Sequence, residues 1–303
     1  MKTTVSCPLE SKQTLISLLN QCFSYASPLS YSTDFAPCFA PERIKNFQVI
    51  MDAGKPIACG YMDHKELVTR AGSAKIAVIG AVAVGPEHRN KGLSKVILNR
   101  LIQLADTTDS CGTVLWSDKA EFYGRFGFMP TGTQHLYELS QIFLPATRSN
   151  DLIVAKVENQ WSSDEVKDLY IKHRCRVVRT NFDWQLIDEI TSCDKRALVN
   201  SDNQTLAYIA IGRGKDMDRI VHEWGGQPDA LIELIRRTCE EKSNLLWLTN
   251  PYLDDPLQIF FEKYEVAPFE SNMGLFRMNT HYDGPTDVTE LTKSFWFWGL
   301  DSF

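Results

Sequence analysis

Two short stretches of this chain hold residues that could do chemistry. The first is Arg89-Asn90-Lys91-Gly92-Leu93-Ser94, a basic turn between the apolar run Val78–Val84 and an amphipathic segment. A helix that begins at such a turn leaves about four backbone N–H groups without intrahelical partners, and partial positive charge gathers there. Phosphate is the natural ligand of that arrangement, and Arg89 and Lys91 would add fixed charge. Gly92 lets backbone approach a ligand without a side chain in the way. The second stretch is Phe122-Tyr123-Gly124-Arg125-Phe126-Gly127-Phe128. Among its aromatic residues Tyr123 alone has a hydroxyl, which could serve as a general acid. Read as packing, Tyr123 is one more core aromatic beside Phe122, Phe126 and Phe128.

Ordinary secondary structure can position both stretches. Leu15–Phe23 reads as a short helix, followed by a polar, aromatic loop over residues 24–41. Strands are expected at Phe47–Met51 and Ile57–Met62, divided by the turn Asp52-Ala53-Gly54-Lys55-Pro56. Ile76–Val84 reads as a strand buried on both faces. After the basic turn, Leu93, Val96, Ile97, Leu101 and Leu104 recur with helical period. Val114–Trp116 is the next strand. Asp118 and Glu121 have capping-box spacing for a short helix, with Asp118 as N-cap, that would carry Tyr123. Strands alternating with helices predict an α/β sheet.

The second half repeats this layout. Leu206–Ile211 and Arg219–Trp224 read as strands, and Pro228 begins a helix at its first position. Leu245-Leu246-Trp247 stands where Val114-Leu115-Trp116 stood. Phe260-Phe261-Glu262-Lys263-Tyr264-Glu265-Val266-Ala267-Pro268 aligns without gaps on the run from Phe122 to Pro130, as an internal duplication would. Tyr123 becomes Phe261, and the turn before the helix, Gly225-Gly226-Gln227-Pro228, has no basic residue. A cut between residues 148 and 149 therefore predicts a chemically equipped domain over 1–148 and a degenerate copy over 149–303.

Bulk properties narrow the classes. The chain has 303 residues, 44% of them hydrophobic, and a formal net charge of −6. An acidic balance disfavours nucleic acid as a partner and is compatible with a cationic one. No apolar run is long enough to cross a bilayer, so no membrane partner is expected. The eight cysteines are scattered without CxxC spacing, and the first residues lack the apolar stretch of a secretory signal. Both features predict reduced thiols in the cytoplasm. The six histidines have no metal-ligand spacing, so no metal is expected.

The turn from Arg89 to Ser94 resembles the R/Q-x-x-G-x-G/A signature of the GNAT superfamily of N-acetyltransferases, with Ser94 where that family has glycine or alanine. The stretch from Leu115 through Ser117 to Phe128 is similar to the Eis-type branch, whose members carry a similar Y-G-R-F-G-aromatic run. The resemblance implies two tandem GNAT-like domains, each a mixed, mostly antiparallel twisted sheet flanked by helices. That branch has a third, sterol-carrier-like domain for which this length leaves no room, so its substrate range is not carried over.

The resemblance has specific implications for the site. Acetyl-CoA would be the co-substrate, its pantetheine arm paired with the backbone of Val82, Ala83 and Val84. Its pyrophosphate would lie over Arg89, Asn90, Lys91, Gly92, Leu93 and Ser94, with Ser117 also contacting the coenzyme. Tyr123 would protonate the departing thiolate. No Asp or Glu stands on strand 76–84, where many relatives keep a base. The Eis-type resemblance assigns that role to the carboxylate at Phe303, at the end of the aromatic segment Ser294–Phe303. Docked as a plug, the same segment would merely close an interface. The acceptor would be a small-molecule amine or a peptide or protein amine, acetylated by direct transfer, and an oligomer is possible. Two rival expectations are a non-catalytic acyl-CoA-binding module and aminoacyl transfer from tRNA.

Overall fold

The apolar run at the centre of the first half forms one long strand because both of its faces are covered. In the computed structural model, which describes residues 3–70, 72–146, 152–156, 161–215 and 217–302, the strands of this region are β1 (Val5–Ser6), β2 (Phe47–Asp52), β3 (Lys55–Thr69), β4 (Gly72–Val84) and β5 (Gly112–Leu115). β1 to β4 pair antiparallel in sequence order, and β4 pairs with β5 in parallel. Helix α1 (Lys12–Cys22) packs Leu15, Leu18 and Leu19 with Phe47, Val49, Cys59 and Tyr61. The next helices are α2 (Tyr31–Asp34), one turn within the expected loop, and α3 (Leu93–Asp106), which comes after β4. α3 packs Ile97, Leu98 and Leu101 with Ile50, Ala58, Ile79 and Leu115. Residues 47, 49, 59 and 61 alternate with 50 and 58 along their strands, so α1 and α3 cover opposite faces of the sheet. Each buried leucine contributes roughly 1.5–3 kcal/mol.

Close packing of α3 is visible at Gly60. A Cβ there would meet the side chains of Ile97 and Leu101 at 2.7 Å. Opposite Gly60, β4 carries an extra residue: Cys59 pairs with Ala83 but Tyr61 with Gly80. Ala81, in this bulge, has a φ of 51°. Bulges bend a strand and re-aim the residues beyond them.

The described residues gather into two compact units. One holds the chain up to Thr131 together with Gly274–Lys293, and the other holds Gly132–Met273 with Ser294–Ser302. In the first, helix α4 (Ala120–Gly124) follows β5. In the second, strand β6 (Met129–Glu138) and β7 (Ile153–Lys156) precede helix α5 (Asp164–Tyr170), the short β8 (Arg176–Val177) and helix α6 (Asn181–Asp188). Then come β9 (Asp194–Val199), β10 (Thr205–Ile211), β11 (Ile220–Gly226), helix α7 (Pro228–Glu241) and β12 (Leu246–Thr249). α8 (Gln258–Lys263), β13 (Phe269–Met278) and α9 (Val288–Lys293) complete the chain. β9, β10 and β11 pair antiparallel, and β11 pairs with β12 in parallel. This is the order of β2, β3, β4 and β5.

A single cut at residue 148 does not describe this division. Residues 275–278 of β13 pair with β5, and residues 135–138 of β6 pair with β12. Each unit is thus closed by a strand from the other half of the sequence. In the first unit that strand is fastened by Asn279, which accepts from the Thr113 hydroxyl at 2.8 Å and donates to the carbonyls of Ala105 and Ser110. Arg277 adds a bidentate pair with Asp106. Strand pairing of this reach is set by long-range partners, which local sequence does not reveal.

Both units are therefore mixed α/β, with a mostly antiparallel sheet flanked by helices. Among the described residues no helix is long and apolar enough to cross a membrane.

Candidate functional site

β4 and β5 part company before β4 ends. Their parallel pairing runs from Ile76↔Gly112 to Ile79↔Leu115, whereas β4 continues through the Ala81 bulge to Val84. On its other edge this extension stays paired, with Ala58 opposite Val84 and Cys59 opposite Ala83. Val82, Ala83 and Val84 therefore lie on a strand end that diverges from β5. The side chains of Val82 and Val84 pack against the cluster that contains Tyr123.

The basic turn lies directly after this extension. Arg89 is exposed and donates through Nε to the carbonyl of Val84 at 3.4 Å, and Lys91 donates to the carbonyl of Glu87 at 3.1 Å. Asn90 and Gly92 both have positive φ, 61° and 72°. Nothing lies within 4 Å of where a Gly92 Cβ would be, so glycine is favoured here by backbone conformation rather than by space. Gly92 is the N-cap of α3, and no side chain caps that end. Leu93 turns into the core, while Ser94 is half-buried in the first turn. The first N–H groups of α3 are thus not taken up by a capping side chain.

Tyr123 sits in α4, 9% exposed, with its ring edge-on to Phe122 and Phe128. Burial raises its phenol above the ordinary value of 10; a hydrogen bond with Ser117 opposes this and the nearby Asp118 charge reinforces it. The hydroxyl is consequently protonated throughout the neutral range, the form a proton donor needs. Ser117 also accepts from the backbone N–H of Lys119 at 3.1 Å. This corrects the expected capping box: Lys119, not Asp118, is the N-cap of α4, and Glu121 pairs instead with Arg125 at 2.8 Å. The helix starts one residue later than expected, so Asp118 stands before the cap, and no side chain caps that end.

One participant was not legible in the sequence. The Cys22 thiol, at the end of α1, donates to the same Val84 carbonyl at 3.4 Å. Burial raises its pKa, against the pull of Arg89. It is a held thiol rather than a ready nucleophile. Residues 22 and 84 are too far apart in sequence for any local signal. Phe303 lies outside the described residues.

The corresponding region of the second unit is built differently. β11 pairs with β12 over Ile220↔Leu246 and Val221↔Trp247, then runs on to Gly226. α7 starts at Pro228 as expected, with Gln227 as N-cap and no basic residue in the turn. Phe261 is 1% exposed and stacks on Tyr137 at 3.9 Å.

Comparison with known proteins accords with this architecture. Residues 9–131 match the family model of the acetyltransferase (GNAT) domain. Among solved structures, 92% of the chain matches 73% of a probable N-acyltransferase from Enterococcus faecalis V583, at 14% identity and a TM-score of 0.68. For Eis1 from Mycobacterium abscessus the figures are 91% and 74%, 13% identity and 0.62. For Saccharomyces cerevisiae N-myristoyltransferase with bound myristoyl-CoA they are 96% and 83%, 12% identity and 0.57. At these identities the likeness carries the fold. No curated protein matches the chain.

Proposed function

We propose that this chain, whose residues 9–131 match the family model of the acetyltransferase (GNAT) domain, transfers an acetyl group from acetyl-CoA to a primary amine, on a small molecule or a peptide or protein, by direct attack in a ternary complex. The observation that carries this reading is the divergence of β4 from β5 after Ile79, with the Arg89–Gly92 turn at the end of the freed strand and Tyr123 in the adjoining cluster. The residues fit coenzyme A: a strand end without its parallel neighbour for the amide arm, and an uncapped helix start with two basic side chains for the pyrophosphate. When bound, the thioester supplies an activated acyl carbon.

The protein's part is to bind, orient and move protons. Backbone N–H groups of Val82–Val84 polarise the acetyl carbonyl. The amine nitrogen bonds to the carbonyl carbon, and the C–S bond then breaks. Tyr123 gives its proton to the leaving thiolate and is reprotonated from solvent. A phenol whose pKa burial raises above the ordinary 10, facing a thiol near ~8.5, makes this step uphill, which positioning offsets. The proton of the attacking amine leaves to the C-terminal carboxylate at Phe303 or, where that is not the base, through ordered water. Cys22 is not used as a nucleophile, since burial keeps its thiol protonated. We read the second unit as a degenerate copy of the first and the chain as cytoplasmic.

The test is acetyl-CoA binding and thiol release with a panel of primary amines, on wild type, Tyr123→Phe and a chain lacking Ser302 and Phe303. Normal binding with slow turnover in Tyr123→Phe supports the acid; slow turnover in the shortened chain supports the expected role of Phe303. Because β4 carries no carboxylate beyond its bulge, a non-catalytic acyl-CoA-binding module is the second reading. Binding without turnover on any amine would favour it. No binding of coenzyme A would remove both.

A further inference from the structure

The second unit holds an aromatic segment against the part of β11 that runs on past its pairing with β12. Phe295, Trp296, Phe297 and Trp298 are each no more than 1% exposed. The Trp224 indole, on β11 past the end of its pairing with β12, donates to the carbonyl of Leu248 at 3.1 Å, bridging the two strands through a side chain. Trp298 packs edge-on against Trp224 at 5.2 Å and donates to the carbonyl of Cys175. Gly299 lies so close to His222 that an added Cβ would collide with the imidazole ring. His222 is the extra residue of a bulge in β11, since Ala210 pairs with Glu223 but Ile211 with Val221.

Glu223 leads to a lock. Arg179, buried, donates to both oxygens of Glu223 at 2.9 and 2.6 Å and to both oxygens of Asp301 at 2.7 and 2.9 Å. Tyr170 donates to Asp301 at 3.0 Å, and the guanidinium lies over the rings of Tyr170 and Trp184. Arg213 donates to the Gly299 carbonyl and to the Ser302 hydroxyl. Aromatic contacts alone tolerate sliding, whereas a two-sided guanidinium fork accepts its carboxylates in one register. Burying ions gains little adhesion by itself, because desolvation cancels much of the attraction. Selection of one register is the better physical account of this cluster.

We propose that the second unit contains a peptide-binding slot between the diverging ends of β11 and β12, that its ligand is the chain's own segment 294–302, and that Asp301 on Arg179 locks that ligand in register. The slot corresponds in topology to the place proposed for the coenzyme arm in the first unit, and to that extent the inference rests on the function proposed above. Filled by two tryptophans and without a basic turn, it takes no coenzyme. The chain then binds one acetyl-CoA.

Amide exchange of the full-length protein, read by mass spectrometry on wild type, Asp301→Asn and Trp298→Ala, tests this. Exchange across 294–302 is expected to rise at least tenfold in both variants, with Ile220–Gly226 losing protection alongside, while β2–β5 stay as in wild type. Unchanged exchange at 294–302 in Asp301→Asn overturns the lock. Release of the segment without any change at Ile220–Gly226 overturns the slot. Calorimetric titration of wild type is expected to give one acetyl-CoA per chain, and two would overturn the blocked second site. A titration that gives none refutes the reading of the first unit, while the exchange data still decide on the slot.

Discussion

Arg89 donates through Nε to the carbonyl of Val84 at 3.4 Å, so the charge of the turn is tied to the strand end it follows. Loss of that side chain removes both a phosphate partner and a tie on the strand. Arg89→Ala is expected to weaken acetyl-CoA binding about tenfold or more, equivalent to ~1.4 kcal/mol, with Arg89→Lys intermediate. The salt dependence of binding should also flatten, because one screened attraction is gone. Calorimetry at two ionic strengths checks both, and an unchanged affinity in Arg89→Ala would remove the residue from the clamp.

At Gly92 the backbone has a φ of 72° with open space around it. An added methyl clashes with nothing beyond its own backbone, yet the left-handed conformation costs a non-glycine residue about 1–2 kcal/mol. Gly92→Ala should lower stability by about that amount and raise the KM for acetyl-CoA. Gly92→Asn, which tolerates this conformation, should recover most of both. Thermal melts and initial-rate kinetics on the pair separate conformation from bulk.

Tyr123→Phe keeps the ring and its packing against Phe122 and Phe128. Turnover should fall by about two orders of magnitude with little change in acetyl-CoA binding. Because burial raises the phenol's pKa, the wild-type rate should show no alkaline fall caused by this group below about pH 10. A pH–rate profile with such a fall, absent in Tyr123→Phe, would contradict the assignment.

Two buried histidines make the second unit acid-sensitive. Burial pushes His173 down to about 4 and His222 down to about 3. In the unfolded chain a histidine takes up its proton near pH ~6.5. Between those values the unfolded state binds protons the folded state refuses, so stability falls as pH drops from about 6.5 towards 4 and below. For His173 the loss by pH 4 is on the order of 3 kcal/mol. Glu223, whose carboxyl is raised by burial, acts in the opposite sense. Melting temperature against pH should therefore have a shallower slope in His173→Gln and His222→Gln than in wild type; equal slopes would refute the account.

Asn279→Ala removes the side chain that satisfies the Thr113 hydroxyl and the carbonyls of Ala105 and Ser110. Leaving buried polar groups without partners costs about 1–3 kcal/mol each. Denaturant titration should register a loss of at least about 2 kcal/mol, and amide exchange should place it on β5 and the end of β13. A loss below about 0.5 kcal/mol, on the order of a surface substitution, would contradict this role.

The turn from Arg89 to Ser94 and the run around Tyr123 were legible in the chain because their signals are local. A glycine with positive φ, an apolar strand before it and a helical period after it all lie within a few residues of one another. The same holds for Pro228 at the head of α7, and for the helix that carries Leu93, Ile97 and Leu101. Such features depend on backbone sterics and on the spacing of apolar side chains, which sequence states directly. Asp118 failed as a cap because the helix begins one residue later, with Lys119 as its N-cap and no side chain capping it.

Tertiary structure alone decided what depends on distant partners. Residues 275–278 complete the sheet beside β5, residues 135–138 pair with β12, and Cys22 meets the carbonyl of Val84. Asp301 gave no sign in the sequence of the arginine that would hold it; Arg179 is named by the fold, through contacts at 2.7 and 2.9 Å. A strand's partner and a buried ion's counter-charge are chosen by pairing energies between segments that closure of the chain brings together, and residue order does not encode those separations in any short window.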